Sequence, residues 1–193
     1  LEDAKTIPDA TFHFMHPVKS RHAIRRAFML GCRSFSLDSE DELKKIIDET
    51  GAATDLSLWV RIAVPAINAV IPLENKFGIT GAAAVRLLLK TRQAAKSLGI
   101  SFHVGSQTVT PEAYGAALGE ARKLIGRAGV VVDGIDVGGG FPARYSIEPP
   151  APTPAVARTP TTASATGRAR DTLAGRRISV CRHANASSQL AIV

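Results

Sequence analysis

The sequence has few cysteines and no long apolar run, and each absence excludes a class of protein. Its two cysteines, Cys32 and Cys181, supply neither a disulfide framework nor the spacing of a metal site. We therefore expect a protein of the reducing cytoplasm with no bound metal. No stretch of about 18 apolar residues is present, so we expect no transmembrane helix and no membrane partner. The first nine residues also lack the basic start and apolar run of a signal peptide.

Lysine and acidic residues are scarce at the end of the chain, which makes the charge uneven. The net charge of +7 arises mainly in residues 151–193, which contain six arginines and one acidic residue, Asp171. Residues 1–150 carry 18 basic and 16 acidic side chains, a balance of only +2. The basic tail has no aromatic side chain that could stack on a base. We therefore expect no nucleic-acid partner.

The composition divides the chain into two unlike parts, residues 1–148 and 149–193. Five of the eleven prolines fall between residues 149 and 160, and residues 151–193 contain no Phe, Trp, Tyr, Glu or Lys. Such a segment has little apolar surface to offset the entropy lost on ordering, so we predict a disordered tail. A flexible linker and a segment translated outside its natural reading frame are both compatible with this composition. The first part is long enough for one domain with a sizeable core.

Strand and helix patterns alternate along the first part of the chain. The strands are predicted at residues 11–15, 32–37, 56–64, 100–104 and 130–137. The helices between them are predicted at residues 19–30, from residue 39 to about 50, at 81–98 and at 111–127. This alternation predicts an α/β fold with parallel strands and right-handed crossovers. A doubly wound open sheet and part of an eight-unit barrel both fit, and since a complete barrel needs about 250 residues, only about five units are present.

The second helix has a recognisable start. Ser39 with Glu42 three residues later forms the pattern of a capping box, in which each side chain accepts a hydrogen bond from the other residue's backbone amide. We interpret Asp38 and Glu42 as residues of this cap rather than of a functional site.

Two polar residues, His103 and Ser106, lie at the carboxyl end of the fourth predicted strand, in the segment Ser101–Gln107. The carboxyl ends of parallel strands are where barrels and open sheets keep their sites. There the His103 imidazole could lie flat against a planar cofactor, and the Ser106 hydroxyl could reach a phosphate. A buried structural histidine is the alternative interpretation of His103.

Three glycines follow the fifth predicted strand, in the segment Asp136–Pro142. Gly138, Gly139 and Gly140 allow the backbone to approach an anion closely with successive N–H groups. The spacing is not that of a dinucleotide fingerprint, and no Gly-Lys-Ser/Thr of a P-loop follows. A plain tight turn remains an alternative for this segment taken by itself.

Taken together, these two segments resemble a known family. Ser101–Gln107 and Asp136–Pro142 are similar to segments of the fold-type III, group IV decarboxylases of ornithine, lysine, diaminopimelate and arginine, which depend on pyridoxal 5′-phosphate (PLP). Three upstream segments agree in order and spacing: Met15–Ser20, Leu37–Leu43 and Lys76–Gly78. The resemblance covers residues 10–148 and is strongest to the bacterial ornithine/lysine decarboxylase branch. It implies a partial (β/α)8 TIM barrel of the alanine racemase-like type and a cytoplasmic homodimer.

The resemblance also implies roles for individual residues. His103 would stack on the PLP ring, while Ser106 and the amides of Gly138, Gly139 and Gly140 would hold the phosphate. Arg61 matches an arginine near the ring, with a structural ion pair inside the barrel as its alternative. Lys76 would belong to the subunit interface.

The family's catalytic groups have no counterpart in this sequence. The Schiff-base lysine lies on a strand before the segment corresponding to Thr11, and Lys5 lacks its surroundings. Glu148-Pro149-Pro150 lacks the Gly-Arg of the motif that supplies the acid for the pyridine nitrogen. We therefore predict no catalytic residue, PLP bound noncovalently at best, and a sequence incomplete at both ends.

The functional prediction is an inactive fragment of a decarboxylase that converts ornithine or lysine to a diamine in polyamine biosynthesis. Three alternatives remain open at the level of sequence: a non-catalytic decarboxylase-like interaction or regulatory protein, a racemase-like PLP barrel, and an unrelated phosphate-binding barrel.

Overall fold

The computed structural model describes residues 11–65 and 76–142, together with the backbone of residues 179–181. Strands and helices alternate in the first two ranges. The strands are β1 (His13–Phe14), β2 (Ser34–Leu37), β3 (Ser57–Arg61), β4 (Ser97–Ser101), β5 (Gly134–Asp136) and β6 (Ser179–Cys181). The helices are α1 (Arg21–Met29), α2 (Glu40–Glu49), α3 (Gly81–Ala94) and α4 (Pro111–Ala128). None of these helices has the length and apolarity to cross a bilayer.

The strands lie in one parallel sheet in the order in which they occur along the chain, β1 to β6. A doubly wound sheet reverses its strand order near the middle, whereas a (β/α) barrel adds each new strand on the same side. The observed order is therefore that of a barrel, as the family resemblance implied.

The two faces of the sheet differ in chemistry because alternate residues of a strand point to opposite sides. One face is apolar and forms the core with the helices; its fully buried side chains include Phe35, Leu37, Leu58, Val60, Leu98 and Ile100. The other face carries Ser36, Trp59 and Gly99 side by side, and Arg61, Ser101 and Asp136 in the next row. This second face is the inner side of the barrel and is mainly polar.

The start of α2 confirms one of the two hydrogen bonds of the predicted capping box and corrects the other. The Ser39 hydroxyl accepts a hydrogen bond from Glu42 N at 3.2 Å, and the Ser20 hydroxyl does the same for α1. Glu42 does not return the bond to Ser39. Its carboxylate lies 2.9 Å from the Lys19 ammonium instead, and both side chains are buried. The interpretation of Glu42 as only a cap residue is therefore wrong.

The boundary between α3 and β4 also differs from the prediction. The helix ends at Ala94, and Ser97 already belongs to β4, whereas the apolar pattern predicted a helix to residue 98. Leu98 is fully buried in the sheet, and its amide donates to the Asp133 carboxylate at 3.0 Å. The pattern could not indicate this, because the partner carboxylate lies 35 residues away.

The predicted tail lies mostly outside the described residues. Within it, β6 pairs in parallel with β5, so residues 179–181 form a strand where the sequence predicted no element.

Candidate functional site

Four charged or polar side chains lie at the carboxyl ends of neighbouring strands. Arg61, Ser101 and Asp136 are register partners across β3, β4 and β5. Asp38 directly follows Leu37, whose register partner is Val60, so it lies beside Arg61 at the end of β2. This row forms the floor of the barrel mouth, the edge at which parallel barrels keep their sites.

His103 and the three glycines lie against each other above this row. A methyl group built on Gly139 would lie 3.3 Å from His103 Nε2, and one on Gly138 would lie 3.3 Å from His103 Cδ2. The structure thus brings together the two segments that the sequence singled out. Gly138 and Gly140 both have positive φ angles, +67° and +93°. A side chain at Gly140 would collide with the Gly105 carbonyl oxygen, 2.0 Å from the added carbon, so glycine is required there by conformation and by space.

Three hydrogen bonds fix the orientation of the glycine segment. Asp136 Oδ1 accepts from the Gly138 amide at 2.9 Å. The Tyr114 hydroxyl, on α4, donates to the Gly139 carbonyl at 3.2 Å. The Thr108 amide donates to the Gly140 carbonyl at 2.7 Å. Both carbonyls therefore accept hydrogen bonds from other parts of the protein.

Tyr114 is a residue of this site that the sequence analysis missed. Its ring stacks on Phe141 with centroids 4.8 Å apart and an angle of 11° between the planes. The only available signal was the Phe that follows the glycines, because a tyrosine near the start of a long helix has no characteristic spacing to them. Asp136, by contrast, was visible as the residue before the glycine turn.

The electrostatics of the row keep His103 neutral. Burial lowers the pKa of His103, and the nearby Arg61 guanidinium lowers it further, while Asp136 acts in the opposite direction. His103 Nδ1 accepts a hydrogen bond from the Gly105 amide at 3.0 Å. The neutral ring therefore carries its proton on Nε2, the atom that faces Gly139.

Arg61 lies between two carboxylates at the mouth. Burial lowers the pKa of Arg61, and the negative charges of Asp136 and Asp38 partly restore it. Both interpretations of this residue are thus compatible with its position, since it faces the mouth and is also paired electrostatically within the barrel.

The remaining predicted residues lie nearby or outside the site. Ser106 is half-buried on the loop between His103 and α4. Lys76 is exposed, in a loop whose Gly78 amide donates to Asp38 Oδ2 at 3.0 Å. This bond shows that Asp38 does more than flank the helix cap, which corrects its interpretation as a cap residue. Lys5, Glu148 and the tail lie outside the described residues.

The residues at the mouth fit a ligand with a phosphate group. Among the described residues, the amides of Gly139 and Gly140 have no hydrogen-bond acceptor, and both glycines pack closely against the His103 ring. The Gly138 amide is already bound by Asp136, so the expected cradle of three amides is reduced to two. In the row below, the Ser101 hydroxyl is buried without a partner in the described part of the chain, as expected where a polar ligand or water completes the site. The described residues contain no group of three His, Cys, Asp or Glu side chains that could hold a metal ion.

Comparison with known proteins agrees with this geometry. The family model for the pyridoxal binding domain of pyridoxal-dependent decarboxylases matches residues 4–172. The lysine/ornithine decarboxylase of Selenomonas ruminantium is 36% identical over 133 residues, which covers 67% of this chain and 33% of that protein. The ornithine decarboxylase of Caenorhabditis elegans is 37% identical over 134 residues, covering 67% of this chain and 31% of the relative.

A solved structure supports the same relationship at the level of the fold. The crystal structure of the arginine decarboxylase of Paramecium bursaria Chlorella virus superposes with a TM-score of 0.61 at 30% identity, covering 69% of this chain and 36% of that one. The chain thus spans about a third of the length of the relatives it matches. With the family model matching well over half of the sequence, the chain belongs to the pyridoxal-dependent decarboxylase family, in the region of its pyridoxal binding domain.

Proposed function

We propose that the barrel mouth of this chain holds PLP and that the protein containing it decarboxylates a basic amino acid. The observation that carries the proposal is the contact between His103 and Gly138–Gly140 at the ends of neighbouring strands. A planar imidazole and a backbone anion cradle within van der Waals distance of each other match the two ends of a phosphorylated aromatic cofactor. When bound, PLP supplies the electron sink for loss of the carboxylate.

Each residue has a defined task in this proposal. The Gly139 and Gly140 amides donate to the phosphate, and Ser106 adds a hydroxyl from the next loop. The neutral His103 ring would contact the cofactor ring and exclude water from it. Arg61 would contribute positive charge at the mouth, offset by Asp38 and Asp136. The substrate class follows from the relatives, which are named as lysine, ornithine and arginine decarboxylases.

We further propose that the 193 residues by themselves perform no turnover. Lys19 follows β1 by five residues in the sequence, and its ammonium is bound by Glu42 and by the carbonyls of His16 and Ser36. It is therefore unavailable for a covalent bond to the cofactor, and the chain would hold PLP noncovalently.

Binding of pyridoxine 5′-phosphate tests the cofactor site directly. This compound lacks the aldehyde and so cannot react with surface lysines. Trp59 is the only tryptophan and lies on the inner face of the sheet, so its fluorescence reports on ligands at the mouth. We expect pyridoxine 5′-phosphate to bind on the order of tenfold more tightly than pyridoxine, because only the former makes charge-assisted hydrogen bonds to the two amides.

Two variants locate the binding. His103→Leu should weaken both ligands, because it removes the ring that faces them, while His22→Leu on the exposed surface of α1 should change neither. Equal affinity of the wild-type chain for pyridoxine and its phosphate would contradict the proposed phosphate cradle.

A further inference from the structure

Asp136 lies immediately before the glycine segment, in an environment that is unusual for a carboxylate. Its side chain is buried at the last position of β5, with 5% of the residue exposed. A buried carboxylate is costly unless it is compensated. Here it accepts from the Gly138 amide at 2.9 Å and lies near the Arg61 guanidinium, whose pKa it raises.

The carboxylate also lies next to a site proposed to bind an anion, where its charge alone would weaken binding. A negative group in such a place needs a compensating effect. The Gly138 bond provides one, because it fixes the first peptide of the glycine segment in the left-handed conformation, φ +67°. The Tyr114 and Thr108 bonds then hold the carbonyls of the next two residues. The Gly139 and Gly140 amides are the backbone donors of the segment that have no acceptor among the described residues.

We propose that Asp136 is a positioning residue for the phosphate cradle, acting through its hydrogen bond to the Gly138 amide. This inference rests on the proposed function and extends it: the residue does not touch the phosphate but aligns the two amides that do. The acceptor oxygen is the essential feature, and the negative charge serves mainly Arg61.

The test compares two substitutions in the full 193-residue chain, with pyridoxine 5′-phosphate and pyridoxine as ligands. Asp136→Ala removes the acceptor and should reduce affinity for the phosphate compound on the order of tenfold, with pyridoxine affinity changed less than about twofold. Asp136→Asn keeps an oxygen acceptor of the same shape and should retain the preference for the phosphate compound to within about twofold.

Asp133 provides a matched control at the other end of β5. Its carboxylate also accepts from a backbone amide, Leu98 N, and pairs with Arg92 at 3.1 Å. Asp133→Ala should therefore lower stability without changing the ratio of the affinities for pyridoxine 5′-phosphate and pyridoxine. If Asp136 had a purely structural role, Asp136→Ala would have the same effect. The ratio, rather than stability, is the measurement that separates the two roles.

Three outcomes would overturn the inference. An unchanged ratio in Asp136→Ala overturns the role of Asp136 while leaving the cofactor site intact. If Asp136→Ala fails to fold, Asp136→Asn still decides, since a tenfold loss in that variant would assign the effect to charge and overturn the hydrogen-bond role. A wild-type chain that shows no preference for the phosphate compound overturns both the cofactor site and this inference.

Discussion

His103 couples the site to pH through its surroundings. The charged groups that face it are Arg61 from β3 and Asp136 from β5, and burial with Arg61 lowers its pKa in the folded state. The unfolded chain, with an ordinary histidine pKa near 6.5, then binds more protons than the folded chain below that pH. Folding stability due to His103 is therefore fully present above pH of about 6.5 and decreases as the pH falls toward the lowered folded-state pKa.

Urea unfolding at pH 7.5 and 5.5, followed by Trp59 fluorescence, measures this effect. We expect the wild type to lose free energy of unfolding on acidification with a contribution from His103 of at most about 1.4 kcal/mol per pH unit. His103→Gln should reduce the loss, whereas His22→Gln, at an exposed position, should not. A pH dependence identical in wild type and His103→Gln would show that this imidazole is not perturbed.

The buried pair of Lys19 and Glu42 is the second residue-level feature. The two groups are 2.9 Å apart with side-chain exposures of 0% and 3%, and burial lowers the pKa of Lys19. Removing one charge leaves the other buried without its partner, so Glu42→Gln should lower the free energy of unfolding by about 3 kcal/mol or more. The double variant Lys19→Met/Glu42→Leu should recover much of that loss, because both buried charges are removed and only the partly exposed Lys45 loses its ion-pair partner.

Glu40 supplies the control for this prediction on the same helix. It pairs with Lys90 at the surface, with exposures of 45% and 55%. Glu40→Gln should cost less than about 1 kcal/mol, since exposed pairs are screened by solvent. Equal effects of Glu40→Gln and Glu42→Gln in urea unfolding would refute the importance of the buried pair.

At the level of elements, replacing a glycine with alanine should have opposite effects on stability in the glycine segment and in α4. Gly140 has φ +93° and an added Cβ would lie 2.0 Å from the Gly105 carbonyl oxygen, whereas Gly126 lies within α4 with no atom within 4 Å of the added carbon. We expect Gly140→Ala to destabilise the chain by about 2 kcal/mol or more, from strain and overlap. Gly126→Ala should stabilise it by about 0.5–1 kcal/mol through helix propensity.

Thermal unfolding of the two variants checks this contrast, with the wild type as reference. A stabilising Gly140→Ala would show that the positive φ is not required at this turn. The helix substitution should also leave the affinity for pyridoxine 5′-phosphate unchanged, since Gly126 lies far along α4 from Tyr114 in the sequence.

At the level of the whole molecule, we expect the 193-residue chain to have no decarboxylase activity. The chain incubated with PLP and either ornithine or lysine should release carbon dioxide at the background rate, because Lys19 is engaged with Glu42 and no other lysine matches the family's Schiff-base motif. The full-length lysine/ornithine decarboxylase of Selenomonas ruminantium is the positive control. Release above background by the 193-residue chain would overturn the proposal of inactivity.

Assembly is a separate question at this scale. The family resemblance implies a homodimer with Lys76 at the interface, and this remains a prediction. Lys76 is exposed in the single chain, and its ammonium lies 5.8 Å from the Phe77 ring centroid.

The alternation of strands and helices from β1 to β5 along the chain could be predicted from the sequence alone. The start of α2 was readable because the Ser39 hydroxyl accepts a hydrogen bond from the Glu42 amide, only three residues later. The glycine segment and His103 were readable because chemistry at strand ends is expressed in short contiguous motifs. Each of these signals depends on residues only a few positions apart.

Features that depend on residues far apart in the chain became known only from the three-dimensional structure. The open sheet and the barrel differ in strand order, which local patterns do not encode. The switch of Glu42 from cap to ion pair required Lys19, 23 residues earlier, and the end of α3 required Asp133. Two hydrogen bonds of the glycine segment could not be predicted from the sequence, because they depend on the orientation of its peptide planes. The Tyr114 hydroxyl donates to the Gly139 carbonyl, and the Gly138 amide donates to Asp136. Contacts of this kind depend on how the elements pack, because burial changes which polar partner is most favourable for a buried group.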